Sequence, residues 1–105
     1  MLVEVLVFEG CPNGKDALDL AERLARTEFP EAEVRLVDVP DFETAQRLRF
    51  LGSPSVRVEG QDVEVSRLGE DASFSCRVYR TDKGVLGFPP EDMLRKALLA
   101  ARKIP

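Results

Sequence analysis

Residues 2–29 read LVEVLVFEGCPNGKDALDLAERLARTEF, and two changes of pattern within them decide the architecture. Leu2 to Phe8 is rich in Val and Leu and alternates only weakly, which is the pattern of a mostly buried strand, and Gly10 and Pro12 bound it. From Lys15 to Glu28 the period changes. Ala17, Leu18, Ala21, Leu24 and Ala25 recur at helical spacing while Lys15, Asp19, Glu22, Arg23 and Arg26 fall on the other face, so one amphipathic helix follows the strand. Phe29-Pro30 ends it, because proline disfavours the helical conformation in the residue before it. A second strand, Val34 to Val39, completes a strand-helix-strand unit of the kind that joins parallel neighbours.

Beyond that unit, Pro40-Asp41 opens a helix from about Phe42 to Leu51, with Phe42, Ala45 and Leu48 on one side and Gly52 as its cap. Ser55 to Glu59 is a third strand with a turn at Gly60-Gln61 and a hairpin partner at Val63 to Val65. Cys76 to Arg80 reads as a further strand and Asp82-Lys83-Gly84 as a turn. Pro89-Pro90-Glu91-Asp92 then starts a last helix that carries Met93, Leu94, Ala97, Leu98 and Ala101 toward the core. This order predicts an α/β fold, a mixed β-sheet flanked by α-helices, in one domain spanning residues 1–105. Residues 61–75 fit the plan least well.

Composition narrows the function. The 15 Lys and Arg are interleaved with 19 acids for a net charge of −4, so no basic stripe exists to follow a phosphate backbone and nucleic acid is not expected as a partner. The apolar runs, such as Val5 to Phe8, are far shorter than the roughly 20 residues of a membrane span, and no basic-then-apolar leader opens the chain. No membrane association is therefore expected, and the location is expected to be cytoplasmic. There is no histidine, which excludes a Cys-His nucleophilic pair, a His-containing zinc site and His general-base catalysis. Two cysteines are too few for a disulfide framework, so Cys11 and Cys76 need another explanation.

Cys11 lies in Gly10-Cys11-Pro12-Asn13-Gly14, between the first strand and the first helix. Pro12 suits the first position of a helix, which places the Cys11 sulfur beside unpaired backbone N–H groups and the positive end of the helix dipole. That setting favours the thiolate and predicts a reactive thiol; the alternative is a cysteine that fills space at the edge of the core. Cys76 is expected at the start of its strand, either packed as free cysteines commonly are or acting as a resolving thiol. Arg77, Tyr79 and Arg80 are expected to line the outer face of that strand.

A strand and helix with Cys11-Pro12 at the junction, followed some forty residues later by Ser53-Pro54 before a strand, resembles the thioredoxin superfamily. The resemblance implies that Pro54 is cis and faces Cys11, that Cys11 is the attacking cysteine, and that the exposed backbone of Ser53 pairs with an extended substrate. Gly14 stands where the usual Cys-x-x-Cys motif has its second cysteine. Cys11-Pro12-Asn13, Gly52-Ser53-Pro54-Ser55-Val56-Arg57-Val58 with Gly60 and Asp62, and Ser75-Cys76-Arg77-Val78-Tyr79-Arg80-Thr81 with Gly84 and Gly87 together look like a group of small bacterial thioredoxin-like proteins, some labelled alkylmercury lyase.

The expected function is that of a thiol-disulfide oxidoreductase in which Cys11 attacks a protein or small-molecule disulfide and Cys76 or an external thiol resolves the product. Pro12, Ser53 and Pro54 would contact the substrate, with no cofactor and no resident metal. One alternative is a soft-metal site in which Cys11 and Cys76 hold mercury or copper, for sequestration or for organomercurial cleavage with Asp16 as the acid. Asp16 also reads as a first-turn carboxylate that complements the helix dipole. The other alternative is a non-catalytic binding module on the same fold.

Overall fold

The computed structural model describes residues 1–103. The weak alternation of the first strand has a simple cause, since β1 (Leu2–Val7) lies inside the sheet with both faces covered. Val3 and Val5 point into one core and Leu6 into another. β2 (Glu33–Asp38) runs parallel to β1, from Leu2 opposite Glu33 to Val7 opposite Asp38, and forms one edge of the sheet. The crossover between them is α1 (Gly14–Thr27).

On its other side β1 meets β4 (Ser55–Val58) in antiparallel register, Val5 opposite Val56, and β4 pairs with β5 (Gln61–Asp62), giving a mixed sheet of order β2-β1-β4-β5. One face of this sheet packs on α1 and on α3 (Glu91–Arg102) through Val3, Val5, Val56, Ala17, Ala21, Leu24, Leu94 and Leu98, all buried. On the opposite face Leu6 packs with Val39, Phe50 and Ala45 of α2 (Phe42–Leu48). Each fully buried Val or Leu contributes about 1.5–3 kcal/mol, so the α1-α3 side supplies most of the hydrophobic stabilisation.

Ion pairs fasten α1 and the segment after it to α3. Arg95 donates to Glu28 at 2.8 Å and to Glu91 at 2.7 Å, Arg23 also pairs with Glu91, and Arg102 reaches Glu31 at 2.6 Å while lying 4.2 Å from the centre of the Phe29 ring. These guanidinium hydrogen bonds hold the Glu28, Glu31 and Glu91 carboxyls below the usual carboxylate range.

The second half of the chain departs from expectation in three places. α2 stops at Leu48, because Arg49 takes the left-handed conformation (φ 56°) and its N–H closes onto the carbonyls of Ala45 and Gln46. This turns Phe50 into the core and starts β3 (Leu51–Ser53), so Gly52 is a strand residue and not a cap. The hairpin after β4 turns at Glu59-Gly60, both with positive φ as a two-residue type I′ turn requires, which brings Gln61 and Asp62 opposite β4 in place of Val63 to Val65. Finally, Cys76 to Arg80 is not one strand. β6 (Ser73–Cys76) ends at Cys76, and β7 (Tyr79–Thr81) begins after Arg77-Val78 and pairs with β8 (Gly84–Leu86). The break occurs where Arg77 turns into the interior to meet acidic partners. Among the described residues, no helix is long and apolar enough to cross a membrane.

Candidate thiol site

Cys11 is half-buried at the top of β1. Its N–H donates to the Phe8 carbonyl (3.2 Å), and its own carbonyl accepts from Gly14 N–H (3.4 Å). Cys11 to Gly14 is therefore a β-turn, with Pro12 at the position its fixed φ suits and Asn13 at φ −109°, ψ 4°, close to type I geometry. The helix consequently begins at Gly14 with Asn13 as its cap. This corrects the expected placement of Pro12 as the first helical residue: the turn absorbs it, Pro12 is exposed, and Cys11 stands two residues outside the cap.

The turn has a further geometric property. A Cβ built on Gly14 would stand 3.7 Å from the Cys11 Cβ, inside the 3.5–4.5 Å interval that disulfides span. It would also stand 3.1 Å from Val7 Cγ1, so the space is close-fitting. The other side of the turn rests on Gly87, where any Cβ would fall 2.3 Å from the Asn13 amide nitrogen. The segment after β8 thus packs directly against the cysteine turn.

Ser53 joins this turn to the rest of the site. Its hydroxyl accepts from Phe8 N–H (3.3 Å), its carbonyl accepts from Arg77 N–H (2.8 Å), and the Ser53-Pro54 peptide is cis. β6 runs parallel to β3 with Cys76 opposite Ser53. Gly52 permits this approach: its φ is +109°, and a Cβ there would lie 3.0 Å from the Ser75 carbonyl oxygen. The Phe8 and Phe74 rings meet edge-on at 5.3 Å above the same junction. The expectation of an exposed Ser53 backbone is overturned, since Ser53 is 1% exposed, Pro54 is fully buried, and the chain's own β6 occupies the β3 edge.

Cys76 ends β6 with its side chain exposed, on a cleft of about 610 Å³ that Arg67, Ser73, Ser75 and Arg80 also line. Both cysteines are free thiols, and Cys11 lies outside that cleft. The backbone hydrogen bond from Cys11 to Phe8, the bond from Phe8 N–H to the Ser53 hydroxyl and one strand register connect them. Asp16 is an exposed carboxylate in the first turn of α1. Among the described residues, no group of three or more His, Cys, Asp or Glu side chains is placed to hold a metal ion.

Next to Cys76 the structure holds a cluster that sequence reasoning missed. Arg77 and Tyr79 do not line an outer face: Arg77 is 3% exposed and Tyr79 fully buried, and only Arg80 points out. The Arg77 guanidinium grips Asp62 with two hydrogen bonds (2.7 and 2.8 Å), reaches Glu64 at 3.1 Å and Ser55 Oγ at 2.9 Å, and lies 4.4 Å from the centre of the Tyr79 ring. Its Nε has no partner. Burial is the largest single influence and works against the charge, but the hydrogen bond to Asp62, the charge interactions with Tyr79 and Asp62 and the hydrogen bond to Glu64 together outweigh it, so Arg77 is held above its ordinary range. Tyr79 donates its hydroxyl to the Pro54 carbonyl (2.6 Å), and burial raises that hydroxyl well above a free phenol.

Nothing in the local sequence distinguishes a buried arginine from an exposed one, because the compensating carboxylates are 13 and 15 residues away. No protein-family model, no curated protein and no solved structure matches the chain.

Proposed function

We propose that the chain is a thioredoxin-like domain that carries out thiol-disulfide exchange with Cys11 as nucleophile. The observation that carries the proposal is the turn from Cys11 to Gly14. It sits between a central parallel strand and the helix that follows, and its first and fourth residues stand at the Cβ separation of a dithiol motif of which one thiol is present. The sheet order β2-β1-β4-β5, with Ser53 bridging the cysteine turn and the Cys76 strand, supports the same reading.

In this mechanism the Cys11 thiolate attacks one sulfur of a protein or low-molecular-weight disulfide. The sulfur-sulfur bond breaks and a thiolate leaves with its electron pair, giving a mixed disulfide on Cys11. A second thiolate, from Cys76 or from solution, attacks the Cys11 sulfur or its partner and releases the second product. Pro12, exposed at the tip of the turn, would meet the incoming substrate, while buried Ser53 and Pro54 shape the site from beneath.

Alkylation tests this reading. At pH 7, iodoacetamide labels Cys11 faster than it labels a free cysteine, Cys11→Ser removes the fast phase together with exchange on a small aromatic disulfide, and Cys76→Ser leaves the fast phase in place. A Cys11 that reacts no faster than free cysteine sinks the proposal.

A further inference from the structure

The cluster around Arg77 lies outside the thiol chemistry, yet its geometry is tied to it through a single residue. Arg77 follows Cys76 directly, its backbone N–H is hydrogen-bonded to the Ser53 carbonyl, and its side chain is anchored to Asp62, Glu64 and Ser55 on β4, β5 and the segment after it. Phe74 holds the middle of β6 through its edge-on contact with Phe8, whereas Ser75 and Cys76 are exposed and Ser73 half-exposed. What fixes the strand's end is the buried arginine.

We infer that Arg77 is a positioning residue: its clamp onto Asp62 and Glu64 sets Cys76 in register with Ser53, and thereby makes Cys76 the internal thiol that resolves Cys11. The inference rests on the proposed role of Cys11 and goes beyond it by choosing the resolving group and naming what places it. Cys11 thiolate attacks a glutathione disulfide and one glutathione thiolate leaves. Cys76 thiolate then attacks the Cys11 sulfur, forming the Cys11-Cys76 bond and expelling the second glutathione thiolate. Two protein thiols are oxidised, one disulfide is reduced to two thiols, and the two protons lost by Cys11 and Cys76 pass to the departing glutathione. A thiol held in place has a high effective concentration, and one released on a mobile segment of chain does not.

The test is a redox titration of the full chain in glutathione buffers, with the Cys11-Cys76 bridge counted by mass spectrometry and Cys11 alkylation of the reduced protein measured separately. Asp62→Asn is expected to lower the equilibrium constant for the internal bridge at least tenfold while Cys11 alkylation stays within twofold. Arg77→Lys, which keeps the charge without the two-pronged grip, is expected to fall between Asp62→Asn and wild type. Leu98→Ala in α3, which weakens the fold away from the clamp, is expected to leave the constant within twofold. If Asp62→Asn does not fold, Glu64→Gln and Ser55→Ala loosen the clamp at its rim and are read in the same way. The inference is overturned if the wild-type chain forms no internal bridge, if folded clamp variants keep the wild-type constant, or if Leu98→Ala lowers it equally. Slow alkylation of Cys11 would instead count against the function proposed above.

Discussion

Gly14→Cys, made in a Cys76→Ser background so that one pair of thiols remains, converts the geometric property of the cysteine turn into a number. The new Cβ arrives 3.7 Å from that of Cys11, so the bridge closes with little backbone movement. Chain-entropy loss in the unfolded state for a loop of four residues, −2.1 − 1.5R ln 4, amounts to about 2 kcal/mol at 25 °C in favour of the oxidised form. The contact at 3.1 Å with Val7 Cγ1 opposes this in part, although Val7 is half-buried and can yield by a few tenths of an ångström. The oxidised variant should therefore be more stable than the same variant reduced by about 1–2 kcal/mol, a shift of roughly 4–10 °C in Tm for a domain of this size. Paired urea melts with and without dithiothreitol, with the bridge verified by mass spectrometry, measure the difference. Failure of the bridge to form under air oxidation, or an oxidised form less stable than the reduced one, would refute the account of the turn.

Three further outcomes follow from contacts described above. Asp62→Asn leaves the buried Arg77 charge short of its main partner and should cost about 3–5 kcal/mol in urea unfolding, whereas replacing both, Asp62→Leu with Arg77→Met, should recover most of that loss; a single-variant cost below about 1 kcal/mol would contradict a clamp of this kind. Gly87→Ala places a methyl group inside the volume of the Asn13 amide, so the amide resonances of residues 11–14 should shift in an NMR spectrum and stability should fall by about 1–3 kcal/mol, while an unmoved spectrum would mean that the turn does not rest on Gly87. Glu28, Glu31 and Glu91 have folded-state pKa values below their unfolded ones, so the unfolded chain binds more protons in acid and the stability they add is present above the ordinary carboxylate range, near pH 4.3, and is lost as pH falls through their lowered values. The urea midpoint should fall below about pH 4, less steeply in Arg95→Gln, and equal slopes in the two proteins would count against the α1-α3 ion pairs.

How much of this was legible beforehand depended on the range of the interaction concerned. α1 and α3 followed from periodicity because their burial repeats every three to four residues along one segment, and β1 and β2 followed from short runs rich in Val and Leu. The cysteine turn was located correctly, but its helix was placed two residues early, since proline suits both a first helical position and the second position of a β-turn and only the Gly14 to Cys11 hydrogen bond decides between them. The end of α2 and the stretch from Glu59 to Tyr79 differ from expectation for another reason. A left-handed Glu59, a left-handed Arg49 and a buried Arg77 each contradict the average behaviour of their residue type, and each is stabilised by partners that local sequence does not reveal. The opening of the β3 edge was misjudged likewise, because the parallel pairing with β6 joins residues more than twenty positions apart.

One consequence of the Tyr79 contact is practical. The chain contains a single tyrosine and no tryptophan, so its near-ultraviolet signal comes overwhelmingly from one phenol ring. That ring lies beneath the Arg77 guanidinium and its oxygen touches the Pro54 carbonyl. The molecule therefore carries a native optical probe inside its buried Arg77-Asp62 cluster, and circular dichroism near 280 nm, or emission excited there, can follow loosening of that cluster without any label.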